Sequence, residues 1–260
     1  MNGLSLFTGI GGIDVALSEW VRPITYCEIE PYCQSVLLQR MQEGYLPKAP
    51  IWDDIRTLRD ALFDSGIIYK EIDIIYGGFP CQDISIAGSG KGLEGERSGL
   101  FFEIMHLAEE IKPKFLFLEN VPAITTRGGI RIVKEITALG YDCRWCIISA
   151  SEIGALHRRE RWFLLAQSMS SYSSNDSNSH SIPSEQTDKK TISISTNKKP
   201  RRRPTRLYWP LESVEHWKKT VSEICRVTNG VSNGLDRLKS LGNSVVPEQV
   251  NRAFKYLLNI

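Results

Sequence analysis

Apolar runs along the chain are short and regularly interrupted. Residues 4–7, 24–29 and 72–76, a short run ending near Asp53 and Asp54, and residues 115–118 each read as a buried strand. Two more strands are predicted near 143–149 and 162–166. Segments of helical period lie between them. One runs from Ile13 to Trp20, and Pro31 suits the first turn of another that reaches about Glu43. Residues 60–67, 98–111 and 130–139 follow, and a last amphipathic helix is predicted over Pro247–Leu258. In the 98–111 segment, Phe101, Ile104, Ala108 and Ile111 repeat at i, i+3, i+7 and i+10. Strands alternating with helices imply an α/β fold with a doubly wound, mostly parallel sheet.

The pattern fails at Ser168. Between there and Lys199 the chain holds eleven serines and few large apolar residues, so it can bury little. Next comes KKPRRRPTR, residues 198–206, with six Lys/Arg and two prolines. These shifts divide the chain into 1–167, a small region at 168–225 and a C-terminal segment at 226–260.

Composition adds bounds. With 260 residues, 42% hydrophobic and 24% charged, the chain is ordinary globular material with enough length for a sizeable core. A net charge of +2 says little about partners. MNGLSLFTGIGG lacks the basic and apolar regions of a secretory signal, and no apolar run nears the roughly 18–20 residues of a membrane span. An intracellular, cytoplasmic setting is therefore expected, with the six cysteines reduced. Cys143 and Cys146 fall on a predicted strand, where i and i+3 face opposite sides, and the four histidines form no cluster; no metal is expected.

Candidate chemistry gathers at strand ends. The turn Thr8-Gly-Ile-Gly-Gly12 would let a backbone approach a cofactor, although a tight turn needs the same glycines. Glu28 ends the second predicted strand, where an acid binds ribose hydroxyls in such folds; it would equally favour a helix N-terminus. Asp54 could accept from an adenine amino group. Cys81 follows the fourth strand behind a proline, and Glu119 ends the fifth, so parallel pairing puts thiol and carboxylate at one edge. A thiol is only a few per cent ionised near pH 7 and needs assistance. Arg159 and Arg161, in HRRER, could supply positive charge, or could simply be a solvated strand entry.

Taken in order, FTGIGG, GGFPCQ, FLENV, HRRER and LGNSVVP resemble the DNA (cytosine-5) methyltransferases, over residues 4–167 and again from about 225 to 260. The resemblance implies a Rossmann-like methyltransferase fold, S-adenosyl-L-methionine as cofactor and a flipped-out cytosine in double-stranded DNA as substrate. Cys81 matches the nucleophile that adds to C6, and Glu119, with Asn120 and Val121, the acid at N3. Arg159 and Arg161 match the arginines that hold the target base and its phosphate and assist the thiol. On the cofactor side, Phe7, Gly9, Gly11, Glu28, Ile29, Asp54, Pro80, Asn243 and Ser244 match family positions; at Ile29 relatives often carry an aromatic. Ser85 would contact DNA. The last motif requires the final helix to pack beside the first.

Two departures matter. His157 replaces the family's usual glutamine. The target-recognition region, often a folded domain, is reduced here to about 58 residues, 168–225. Lys198, Lys199, Arg201, Arg202 and Arg203 fit phosphate contacts, which give affinity without sequence specificity; a solvated linker would share that composition. Residues 82–99 carry five glycines, as a lid would. A DNA enzyme of restriction–modification type leads, with room for a cognate restriction endonuclease as partner. A tRNA cytosine-5 methyltransferase and a catalytically silent DNA-binding relative are the alternatives.

Overall fold

The computed structural model describes residues 1–64, 71–80, 99–170 and 245–259. One seven-stranded sheet has the order β3-β2-β1-β4-β5-β7-β6. Its strands are β1 (Asn2–Leu6), β2 (Arg22–Cys27), β3 (Ile51–Trp52), β4 (Ile74–Gly78), β5 (Phe115–Asn120), β6 (Tyr141–Ser149) and β7 (Glu160–Ser168). Strands β1 to β5 pair in parallel, while β7 lies antiparallel between β5 and β6. The mostly parallel α/β sheet expected from the alternation of elements is therefore present.

Strand alternation splits the core in two. Leu4, Leu6, Ile75, Leu116, Leu118, Leu164 and Ala166 face one side, under α3 (Ile55–Asp64), α4 (Gly99–Ile111) and α6 (Gly129–Ala138). Ile74, Tyr76, Phe117, Phe163 and Leu165 face the other, under α1 (Gly12–Leu17) and α7 (Pro247–Leu258). A separate cluster of Tyr26, Leu37, Met41 and Leu46 seats α2 (Pro31–Gln42). Helix α7, more than two hundred residues from α1 in sequence, lies against it. Phe254 packs on Trp20 with ring centroids 5.6 Å apart, and Asn251 Nδ2 donates to the Ala16 carbonyl at 3.4 Å.

Some boundaries differ from the sequence expectation. Helix α3 starts at Ile55 rather than 60, because the Asp54 carboxylate accepts the Arg56 N–H at 3.0 Å and caps it. The one-turn α5 (Ile124–Arg127) had no periodic signal to announce it. Cys143 packs into one core cluster and Cys146 into the other, on opposite faces of β6. No helix among the described residues is long and apolar enough to cross a membrane.

Candidate active site

Five parallel strands end at one edge, and the candidate residues sit there. The order reverses between β1 and β4: β2 and β3 continue on one side, β5 on the other. Such a switch point opens a crevice beyond the carboxyl ends of the strands.

The cofactor side is built around β1 and β2. Phe7, directly after β1, has φ 50°, and Gly9 and Gly11 have φ 58° and 83°. Three left-handed residues in five turn the chain sharply out of the strand. Thr8 ties this turn to β2, its N–H donating to the Cys27 carbonyl at 3.1 Å. The Glu28 carboxylate is buried and accepts from two backbone N–H groups, Gly9 at 2.6 Å and Glu30 at 2.8 Å. Each oxygen keeps a second lone pair, so the carboxylate can still accept from the two hydroxyls of a ribose diol. Ile29 beside it is 58% exposed, an apolar face open to a planar ring. Asp54 is held by its own neighbour. Arg56 donates to both carboxylate oxygens, Nη2 to Oδ2 at 2.7 Å, and these bonds hold the acid below its usual range. The residues present thus fit a nucleoside cofactor, with Asp54 pre-oriented by Arg56.

The acid side lies one strand over. Gly78 and Glu119 are register partners in the β4–β5 ladder. Gly78 is also what gives the carboxylate room, since a Cβ there would stand 2.5 Å from Glu119 Oε2. Strand β7 enters the sheet antiparallel, so its first residues arrive at the edge where β5 leaves. Arg161 Nε therefore meets Glu119 Oε1 at 2.9 Å. Burial nevertheless pushes the Glu119 carboxyl up to about 7, outweighing the opposing pull of Arg161 and then Arg159. Desolvation, and then the neighbouring Arg161 charge, lower the Arg159 pKa. The result is an acid that is half neutral near pH 7, with two guanidiniums close by.

Asn120 joins the two strand ends. Its Nδ2 donates to the Phe79 carbonyl at 2.9 Å, fixing the backbone that leads through Pro80 toward Cys81. Cys81, Ser85, Lys198, Lys199, Arg201, Arg202, Arg203, Asn243 and Ser244 lie outside the described residues, as does the glycine-rich stretch up to residue 98. Phe7, Gly9, Gly11, Glu28, Ile29, Asp54, Pro80, Glu119, Arg159 and Arg161 are all described, and all lie along this edge.

Sequence reading alone missed several neighbours. Asp14, fully buried beneath the turn, accepts from the Tyr76 hydroxyl at 2.8 Å, and burial raises its carboxyl to about 6. Arg40 reaches from α2 to donate to the Ile10 carbonyl, holding the turn from the other side. The only sequence hint was a charged residue inside an apolar helical face at Asp14.

Comparison with known proteins places the whole arrangement. The family model for C-5 cytosine-specific DNA methylase matches residues 1–241. The Type II methyltransferase M.CviJI of Paramecium bursaria Chlorella virus IL3A is 37% identical over 164 residues, 63% of this chain and 42% of that protein. M.HhaI of Haemophilus parahaemolyticus is 32% identical over 168 residues, 62% of this chain and 47% of its own. The chain thus spans less than half the length of these curated relatives. Among solved structures, the Entamoeba histolytica methyltransferase EhMeth shares the fold at TM-score 0.63 and 15% identity, covering 100% of this chain and 98% of that one. S. pombe Dnmt2 methyltransferase does so at TM-score 0.51 and 22% identity, over 65% of this chain and 49% of its own. On its sequence match and on its sheet, the chain belongs to the C-5 cytosine-specific DNA methylase family.

Proposed function

We propose that this chain methylates C5 of cytosine in double-stranded DNA, with S-adenosyl-L-methionine as methyl donor. The observation that carries the reading is Glu119: a buried carboxyl near neutrality, paired with Arg161, in register with the strand end three residues before Cys81.

The cytosine is flipped out of the duplex, because its C5 and C6 are not open to attack within the stack. The Cys81 thiolate forms a bond to C6. Glu119, protonated, gives its proton to N3 as electron density develops there, leaving C5 enamine-like and nucleophilic. Arg159 and Arg161 hold the base and its flanking phosphate and lower the cost of the thiolate. When bound, S-adenosyl-L-methionine would supply an electrophilic methyl group for C5, its sulfur leaving as the neutral thioether. A base then removes the C5 proton, the electron pair re-forms the C5–C6 double bond as the Cys81–C6 bond breaks and returns the thiolate, and N3 gives its proton back to Glu119. The turn at Phe7, Gly9 and Gly11, with Glu28, Ile29 and Asp54, seats the cofactor's nucleoside, and Pro80, Asn243 and Ser244 its methionine side. Ser85 and the basic run at 198–203 hold the DNA, in a cytosolic setting.

The short stretch between HRRER and LGNSVVP also suits a tRNA cytosine-5 methyltransferase. Nucleoside mass spectrometry after incubation with cofactor and either unmodified DNA or total tRNA separates the readings. We expect 5-methylcytosine in DNA, and none with Cys81→Ser. Methylation of tRNA alone would select the RNA enzyme. Cofactor binding without methylation of either would mark a silent binding protein.

A further inference from the structure

Gln249 is an unexpected group to find in the core. It sits in the first turn of α7, is 0% exposed, and lies among Val246, Val250 and Ala253. Its Nε2 donates to two backbone carbonyls, Ile148 at 2.5 Å and Arg159 at 2.9 Å. Its Oε1 is buried with no hydrogen-bond partner among the described residues. Turning the amide over would aim an oxygen at two carbonyl oxygens, so the donor must face them. One satisfied end and one orphaned end make the amide a poor choice for stability alone. What it accomplishes is to bridge a gap in the sheet. The β6–β7 ladder stops at the Ser149–Glu160 pair, beyond which β6 turns away into a 3-10 turn at Ala150–Ile153.

Arg159 stands just outside that ladder, with φ at +22°. An L-residue is strained there and stays only where its surroundings hold it. Its carbonyl also accepts from the Ala150 N–H at a longer 3.3 Å, while that same N–H and the Ser149 hydroxyl hold the preceding Arg158 carbonyl at 2.9 and 2.5 Å. Gln249 is thus the shorter tether on the Arg159 backbone, delivered from the far end of the chain.

We propose that Gln249 is a positioning residue: its amide clamps the Arg159 carbonyl and so sets where that guanidinium stands beside Arg161 and Glu119. The role rests on the catalytic reading above. It gives the C-terminal helix a second task besides covering the sheet, since docking of α7 completes the base-holding side of the site.

Gln249→Met keeps length and volume and removes the donor. With the variant folded by near-UV circular dichroism, cofactor affinity should stay within about twofold while turnover falls tenfold or more. A carbon-13 titration of the Glu119 carboxyl should show its midpoint moving up, because a cation has retreated. In an Arg159→Ala background, Gln249→Met should add nothing to either measure. Wild-type turnover with an unmoved Glu119 midpoint would overturn the proposal, as would fully additive losses. The titration needs no substrate, so it still decides the matter if the chain proves not to methylate DNA. If Gln249→Met does not fold, Gln249→Leu, which likewise cannot donate to either carbonyl and adds no charge, is judged on the same measures.

Discussion

At Glu119 two opposing effects act on one proton. Arg161 at 2.9 Å favours the carboxylate, and burial favours the neutral acid. Burial wins, which leaves the group near 7, where it can both give up and regain a proton. The acid form is complete well below pH 7 and is lost as pH rises through it, so kcat should fall toward tenfold per pH unit on the alkaline side. Glu119→Gln is neutral at every pH but has no acidic proton to give. That variant should lose about a hundredfold or more in kcat, within the range of general acid catalysis, and should lose the limb near pH 7. Stopped assays across pH 5.5–9 check both points. A Glu119→Gln enzyme that keeps both rate and limb would remove Glu119 from the acid role.

Elements explain why the acid can stand where it does. The pair Gly77-Gly78 ends β4, and the two glycines serve different neighbours. A Cβ at Gly77 would run into the Leu6 carbonyl of β1, a backbone atom that cannot step aside. A Cβ at Gly78 would meet only the tip of the Glu119 side chain, which can. Gly77→Ala should therefore cost about 1–3 kcal/mol of stability, the usual range for overpacking, read by urea denaturation. Gly78→Ala should be nearly neutral for stability but cut turnover by displacing the carboxylate. Equal stability losses from both would contradict this division. The same strand end shows what sequence could and could not reveal. Apolar runs bounded by turns placed the strands within a few residues, and residue types at their ends pointed to Glu28, Asp54 and Glu119. Period and residue type are local signals, so they carried this far. The start of α3 was misplaced because the Asp54 cap outranks apolar spacing there. Gln249 was not legible at all, for its partners Ile148 and Arg159 lie 101 and 90 positions away. Only the sheet's order brings them together.

For the whole molecule the question is how the proposed enzyme would grip its substrate. Its match covers less than half of M.CviJI and of M.HhaI, and 79 residues, 162–240, separate HRRER from LGNSVVP. On the proposed reading Arg159 and Arg161 serve only the flipped base and the phosphate flanking it, and Arg56 is paired with Asp54. The further phosphate contacts are proposed for the basic run, where Arg201, Arg202 and Arg203 stand between two prolines in the sequence. Each phosphate neutralised releases counterions, so affinity falls with salt by a slope of about 0.9 per contact in duplex DNA. Replacing the three arginines with alanine should reduce the salt slope by about 3. The loss of affinity should be similar for specific and unrelated duplexes, since phosphates carry no sequence. Fluorescence anisotropy with two duplexes over a salt series measures both quantities. An unchanged slope would mean that these arginines are solvated linker. A loss confined to one sequence would move them from phosphate to base edges, and would make this short region the reader of the site.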